Sequence, residues 1–228
     1  MKPLIYKELK LSMHPICYIF VALFPLMILI PSYPIAIGFI YVLSCYPILF
    51  LGANKGQQSN DLLYSTLLPV RKKDIVLARI LTIAIIQFTF MAVMSALLPI
   101  ALLIQNKIQI DTGEVKIPGL GLNAYVSILA IAIIGYAIAD LIFFPIYYKN
   151  GKSIVMSTLF TIFGFMAYLA IFTIALPYIP GCEGYVDLLS NRGIGVQFII
   201  FGAALLIYVL IHLIVYKISS KRLEKVDF

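Results

Sequence analysis

The sequence has no tryptophan, only three cysteines and two histidines among its 228 residues, and few charges, since Asp, Glu, Lys and Arg make up 12% of the chain. The cysteines and histidines lack the repeated spacing that a structural metal site or a disulfide framework requires. Cys17, Cys45 and His14 are too scattered to indicate a nucleophile with its base. We therefore expect no metal, no cofactor and no enzymatic activity on this chain.

A nucleotide-binding P-loop is also missing. The sequence contains no GxxxxGK[ST] segment, in which backbone amides and a lysine hold nucleotide phosphates. An ATP-driven function would therefore need an ATPase on another polypeptide.

Hydrophobic residues dominate what is present, at 62% of the chain with a mean hydropathy of +1.03. A soluble domain of this size cannot bury so much apolar surface, whereas a helix of roughly 20 apolar residues crosses the ~30 Å hydrocarbon core of a membrane. The sequence predicts an all-α, polytopic membrane protein with a single transmembrane domain over residues 1–228. The six predicted spans are about 15–30, 34–53, 78–104, 122–147, 153–177 and 195–216.

The basic residues indicate how these spans are oriented. With both termini in the cytoplasm, all of the 17 lysines and arginines except Lys107, Lys116 and Arg192 flank the spans on the inner side, as the positive-inside rule requires. The net charge of +7 is therefore a topology signal, and we expect no nucleic-acid partner.

The first residues precede the first span and carry two kinds of side chain. A helix over residues 3–13 would place Leu4, Ile5, Leu9 and Met13 on one side and Lys7, Lys10 and His14 on another. That pattern is typical of an amphipathic helix lying in the membrane interface. A plain basic flank explains it equally well.

The cytoplasmic loop 54–77 contains a predicted short helix. Ser59 or Asn60 is a suitable N-cap, and Pro69 disfavours helix at the residue before it. Leu63 and Leu67 share one face of this helix, which is too short to be stable unless that face docks on a surface. The surface is either the protein's own spans or the groove of a soluble partner.

A few polar residues lie at membrane depth. Asp140 is the one carboxylate inside a predicted span, and an ionised Asp near the bilayer centre costs about 2.5 to 3.5 kcal/mol. Gln87, His212 and Tyr136 are its candidate partners. We expect either a structural hydrogen bond between spans or a site that contacts substrate or protons. The tyrosines Tyr18, Tyr46, Tyr147, Tyr148 and Tyr216 are predicted to form an interfacial belt.

Several of these features occur together in one known family. They are the basic amphipathic start at residues 1–13, the cytoplasmic Asn60-Asp61 followed by LLPVRKKDIV at 67–76, the segment DLIFFPIYYKNGK at 140–152, and the tail at 224–228. In these features the chain resembles the small six-span permeases of ABC transporters of the type-2 exporter class.

The resemblance implies how such a chain would be energised. Residues 60–68 would be the coupling helix that contacts a separate ATPase, and the basic residues after it would pair with acidic groups of the partner or with lipid headgroups. The residues expected at this contact are Asp61, Leu62, Leu63, Tyr64, Leu67, Leu68, Arg71 and Lys72. Two ATPase subunits would carry the ATP and Mg²⁺, and a second permease copy or a paralogous permease would complete the pore.

The resemblance also implies a location and a cargo. Similar permeases lie in the bacterial plasma membrane and export antimicrobial or amphipathic cytolytic peptides, including phenol-soluble modulins. Two alternatives need no ATPase: a proton-coupled carrier that uses Asp140 and His212, and a toxin-immunity membrane protein.

Overall fold

The structure is a computed structural model, which describes residues 2–12, 15–23, 25–26, 65, 67, 69–112, 125–150, 154–171 and 194–225. All of its secondary-structure elements in these residues are helical. In chain order they are α1 (Lys2–Lys7), a π-helical turn (Glu8–Ser12), α2 (Pro15–Leu23), α3 (Lys72–Thr112), α4 (Tyr125–Asn150), α5 (Ile154–Ala170) and α6 (Ile194–Glu224).

Three of the described helices are long and apolar enough to cross a membrane. Their apolar portions are Lys72–Leu97 in α3, Leu129–Lys149 in α4 and Phe198–Glu224 in α6, and α5 contains a shorter apolar helix, Met156–Tyr168. The prediction of an all-helical, multi-pass membrane protein is confirmed for these parts of the chain. The predicted span 34–53 lies outside the described residues, so the count of six spans stays a prediction.

The long helices extend beyond the predicted spans. α3 begins at Lys72 rather than at residue 78, and its first turn is stabilised locally: the Asp74 amide donates to the Arg71 carbonyl oxygen at 2.9 Å. The Asp74 side chain also favours the positive end of the helix. α6 likewise continues to Glu224, with Lys221 and Arg222 in its last turn.

α4 is the centre of the packed helices, because it contacts both α5 and α6, and α6 also contacts α3. Buried apolar residues form two clusters along these helices. One cluster includes Phe90, Ala137 and Ala204, and the other includes Ile83, Phe144 and Val215. By contrast, much of α6 is exposed, including Ile199, Leu206 and Leu213, as expected for a face that meets lipid.

The N-terminal segment packs onto the start of α3. α1, the π-helical turn and α2 all contact α3, and Leu9 lies against the cluster that includes Val76 and Ile80. The tight approach of α4 and α5 occurs at Gly164, where an added Cβ would overlap with the Ile142 side chain.

Candidate functional site: an intramembrane polar cluster and a buried ion pair

Asp140 of α4 lies inside the helix bundle, where its residue exposure is only 1%. Its Oδ2 accepts a hydrogen bond of 2.9 Å from Gln87 Nε2 of α3, and His212 Nε2 of α6 lies 3.1 Å from the same oxygen. The structure therefore brings together the three polar residues that the sequence places at membrane depth, one from each long apolar helix.

A tyrosine completes this polar cluster. The Tyr208 hydroxyl of α6 donates a 2.6 Å hydrogen bond to Gln87 Oε1. Because the Gln87 oxygen accepts from Tyr208, the Gln87 amide nitrogen is the group that faces Asp140. Both ends of this buried amide are satisfied, which is the condition under which a buried polar side chain is tolerated.

The imidazole of His212 is held at two points. Its Nδ1 lies 2.9 Å from the carbonyl oxygen of Tyr208, one turn earlier on the same helix, and its Nε2 faces Asp140. The ring also contacts the ring of Tyr208, with a centroid separation of 3.9 Å. The orientation of the imidazole is thus fixed both by its own helix and by α4.

The polar cluster sits at the boundary between the two apolar clusters. On α4, Asp140 lies between Tyr136 of the first cluster and Phe143 of the second, and on α3 Gln87 lies between Ile86 and Phe90. Water is therefore largely excluded, and a hydrogen bond here is electrostatically stronger than in solvent. The arrangement can hold three helices in register and can keep a proton or a charge at membrane depth.

Tyr136 does not join this cluster in the way that the sequence indicates. Its hydroxyl is buried and has no hydrogen-bond partner among the described residues, so Tyr208, rather than Tyr136, is the tyrosine of the cluster. The spacing of four residues between Tyr208 and His212 was the available signal, because residues i and i+4 share a helix face.

A second buried charged group ties the N-terminal segment to α3. Arg79 Nε and Nη2 donate to Glu8 Oε2 and Oε1 at 3.0 and 3.1 Å, and Arg79 Nη1 donates to the Tyr147 hydroxyl of α4 at 3.3 Å. The side chains of Arg79 and Glu8 are only 1% and 3% exposed. This bidentate geometry is the strong form of an arginine–carboxylate pair.

The ion pair extends to the loop that precedes α3. Lys7 Nζ lies 3.6 Å from Glu8 Oε1 and donates a hydrogen bond of 2.5 Å to Ser65 Oγ. Ser65 is 1% exposed, whereas Leu67, two residues later, is 76% exposed. One side of this loop segment is therefore held against the N-terminal segment, and Leu67 faces away from the packed helices.

The sequence did not indicate Glu8 as a buried partner, and Arg79 was expected only as a cation that flanks a span. Two signals were available: Glu8 is the only acidic residue before Asp61, and Arg79 lies within the predicted third span. A cation inside an apolar run needs a partner. The predicted tyrosine belt is also wrong for Tyr147 and Tyr148, which are 3% and 0% exposed.

The predicted ATPase contact is only partly within the described residues. Arg71 is largely exposed, and its side chain pairs with Asp74 at 3.5 Å; Lys72 is half-buried at the start of α3. Leu67 is the exposed leucine noted above. Asp61, Leu62, Leu63, Tyr64 and Leu68 lie outside the described residues.

The C-terminal turn of α6 is linked to α3 and α4. Arg222 Nη1 donates to the carbonyl oxygen of Pro145 in α4, and Lys73 Nζ lies 3.3 Å from Glu224 Oε1. Among the residues with described positions, no group of three or more His, Cys, Asp or Glu side chains could hold a metal ion.

The apolar helices and the buried polar groups between them define a multi-pass helical membrane protein. The sequence matches the family model of the ABC-2 family transporter protein over residues 3–223. The chain belongs to this family, which confirms the prediction of an ABC-2 type permease, a membrane subunit of a transporter. Membership implies association with an ABC ATPase subunit. Searches of curated proteins and of solved structures gave no match.

Proposed function

We propose that this protein is the permease subunit of an ATP-driven exporter that moves an amphipathic peptide, or a similar amphiphile, out of a bacterial cell. The observation that carries the proposal is the family match over residues 3–223. The chain lacks a P-loop, so the energy comes from a separate ATPase subunit, which holds the ATP and Mg²⁺.

The loop before α3 is the proposed contact with that ATPase. Leu67 is 76% exposed and the Arg71 side chain is 88% exposed, so an apolar and a basic side chain are both available to a partner. An exposed leucine on the predicted short helix 60–68 would suit docking into the groove of a partner. The same loop touches the N-terminal segment through Ser65 and Lys7.

This arrangement offers a physical route for the force of ATP binding. A displacement of the loop would act on α3 directly at Lys72, and on the N-terminal segment through Lys7 and Glu8. Because Arg79 joins Glu8 to α3 and contacts Tyr147 of α4, both helices would move together. Interfaces of this kind transmit small displacements as rigid-body shifts of packed helices.

The assembly and the cargo complete the proposal. Two permease chains, identical or paralogous, form the pore with two ATPase subunits, and both termini of each permease lie in the cytoplasm of a bacterial cell. The cargo class is an amphipathic or antimicrobial peptide taken from the inner leaflet. The apolar content of 62% and the aromatic content of 13% are compatible with such a cargo.

The test is co-purification from the native membrane in mild detergent. Tagged wild-type protein is expected to retain a P-loop ATPase at near-equal stoichiometry, identified by mass spectrometry, and the eluate should hydrolyse ATP. Leu67→Glu places a charge on the proposed contact and is expected to remove the ATPase and its activity while the permease still inserts.

Leu67→Met is the matched control, because it keeps an apolar side chain of similar size at the same exposed position. It should leave the ATPase bound. A wild-type chain that purifies alone and without ATPase activity would overturn the proposal. A proton-coupled carrier would instead lose transport with Asp140→Asn, and an immunity protein would respond to neither substitution.

A further inference from the structure

The hydrogen bonds of His212 determine which of its ring nitrogens carries a proton. Nδ1 lies 2.9 Å from the carbonyl oxygen of Tyr208, and a carbonyl oxygen can only accept a hydrogen bond. Nδ1 must therefore be protonated. Only the protonation state of Nε2, the ring nitrogen that faces Asp140, can then change.

The contact between His212 and Asp140 then requires one further proton. Nε2 and Asp140 Oδ2 are 3.1 Å apart, which is hydrogen-bonding distance. Without a proton between them, a nitrogen lone pair would face a carboxylate oxygen and a net negative charge would be buried. With two protons, the pair would carry a net positive charge. With one proton the pair is neutral overall, whether the proton lies on Nε2 or on Oδ2.

The surroundings favour this single-proton state. Gln87 donates to Oδ2 through its amide nitrogen, so it stabilises charge on the oxygen without supplying a formal charge. From α6 the titratable neighbours are Tyr208 and His212 itself, and on α4 the nearest is Tyr136. α5 has no acidic, basic or histidine residue. Arg79 of α3 lies two turns below Gln87, about 12 Å along the helix at 1.5 Å per residue, and is paired with Glu8.

The space between the two side chains is large enough for a proton but too small for a larger cation. The side chain of Asp140 is 2% exposed and that of His212 is 11% exposed, and the two functional groups are already in direct contact. A metal ion or an ammonium group would have to separate them, whereas a proton fits between them.

We propose that Asp140 and His212 form a proton-binding site within the membrane domain, holding one proton between Oδ2 and Nε2 when α6 packs against α4. Moving α6 away from α4 separates Oδ2 from Nε2 and removes the position that the proton occupies between them. Proton binding and the packing of these two helices are therefore linked, because the shared position for the proton exists only in the packed state.

The proposal goes beyond ATP-driven export and does not depend on it. A permease whose packed conformation holds a proton would change its conformational equilibrium with pH, even when ATP binding drives the cycle. The step consists only of the binding and release of a proton, and no other reactant takes part.

The test is nitrogen NMR of the full chain, labelled with ¹⁵N-histidine and reconstituted in lipid nanodiscs. The sequence has only two histidines, His14 and His212, so a His14→Gln variant leaves the imidazole of His212 as the one histidine signal. The probe is the proton itself, varied by titration from about pH 5 to about pH 9, which spans the ordinary titration of histidine near 6.5.

The proposal predicts that Nδ1 stays protonated throughout and that only Nε2 responds to pH. Asp140→Asn removes the charged partner and keeps a side chain of similar shape, so the midpoint of the Nε2 response should move by about one pH unit or more, the size of shift that a neighbouring charge produces. Tyr136→Phe removes a nearby hydroxyl that has no described partner, and it should leave the midpoint unchanged.

Two results would overturn the proposal. The first is an unprotonated Nδ1 in the protein that retains Asp140, which decides the question even when the Asp140→Asn variant does not fold. The second is a His212 titration that has the same midpoint with Asp140 and with Asp140→Asn. Neither result bears on the ATPase, so failure here is distinguishable from failure of the proposed export function.

Discussion

Glu8 and Arg79 are 71 positions apart in the sequence, yet they form a buried bidentate ion pair with N–O distances of 3.0 and 3.1 Å. The pair fixes the N-terminal segment to α3, and the Tyr147 hydroxyl brings α4 into the same contact. A single guanidinium therefore joins three parts of the chain at the end of the bundle where α3 begins.

Removing the arginine should destabilise the protein strongly. Arg79→Gln removes the bidentate partner of the buried Glu8 carboxylate and leaves it only the longer contact of 3.6 Å with Lys7; losing one partner of a buried pair costs up to about 3 to 5 kcal/mol. We expect a lower apparent Tm by circular dichroism in detergent micelles. Adding Glu8→Gln should recover part of the loss, since the buried carboxylate that lost its arginine is then gone.

The matched control for Arg79 is Lys73→Gln. Lys73 also pairs with a carboxylate, that of Glu224, but the two side chains are 54% and 46% exposed. Exposed pairs contribute about 0 to 1 kcal/mol, so Lys73→Gln should change the Tm little. Equal losses for the two single variants, or a double variant no more stable than Arg79→Gln, would contradict the role of the buried pair.

Two tyrosines in the bundle should respond differently to the loss of their hydroxyls. Tyr208→Phe leaves Gln87 Oε1 without its 2.6 Å donor, and interhelical hydrogen bonds in membrane proteins contribute about 0.6 to 1.7 kcal/mol. Tyr136→Phe removes a buried hydroxyl that has no described partner, so it should be neutral or stabilising. Unfolding by steric trapping measures both changes, and equal destabilisation by the two variants would contradict the cluster.

Gly164 of α5 and Gly202 of α6 form another matched pair, which tests the packing of α5 against α4. At Gly164 an added Cβ would overlap with the Ile142 side chain, whereas at Gly202 of α6 nothing lies within 4 Å. Gly164→Ala forces the end of the Ile142 side chain to shift, so it should be less stabilising than Gly202→Ala. Gly202→Ala should be neutral or stabilising. A thermal unfolding comparison that ranks the two in the opposite order would contradict this contact between α4 and α5.

The sequence was a good guide to the helices because apolar runs long enough to cross a membrane have few alternative structures. It also identified Gln87 and His212 as candidates to meet Asp140, since polar residues inside spans are few and those at equal depth have little choice of partner. Tyr208 was missed because a tyrosine is compatible with lipid, interface and core, and its sequence position does not distinguish among them.

The ion pair was missed for a different reason. Lys7, Lys10 and His14 were predicted to form the polar side of a helix lying in the membrane interface, and that pattern gave Glu8 no protein partner. In the structure the winding changes from α-helical to the π-helical turn Glu8–Ser12, and Glu8 and Lys7 face protein instead. Helix periodicity cannot predict that turn, because it depends on the packing against α3.

The last turn of α6 offers a comparison of two adjacent cations. Lys221 and Arg222 both lie in this turn, where positive charge favours the helix C-terminus by about 0.3 to 1 kcal/mol. Arg222 also donates a hydrogen bond to the Pro145 carbonyl oxygen of α4. A hydrogen bond that involves a charged group contributes about 1.5 to 3 kcal/mol. Arg222→Met should therefore lower the free energy of unfolding more than Lys221→Met does.

The difference between these two variants isolates the link from α6 to α4, because the contribution of the helix dipole is common to both. Steric trapping in micelles measures each free energy, and repeating it at high salt separates the two causes, since the exposed charge of Lys221 is screened while the half-buried contact of Arg222 is screened much less. Equal losses at both salt concentrations would mean that Arg222 acts only through the charge at the end of its own helix.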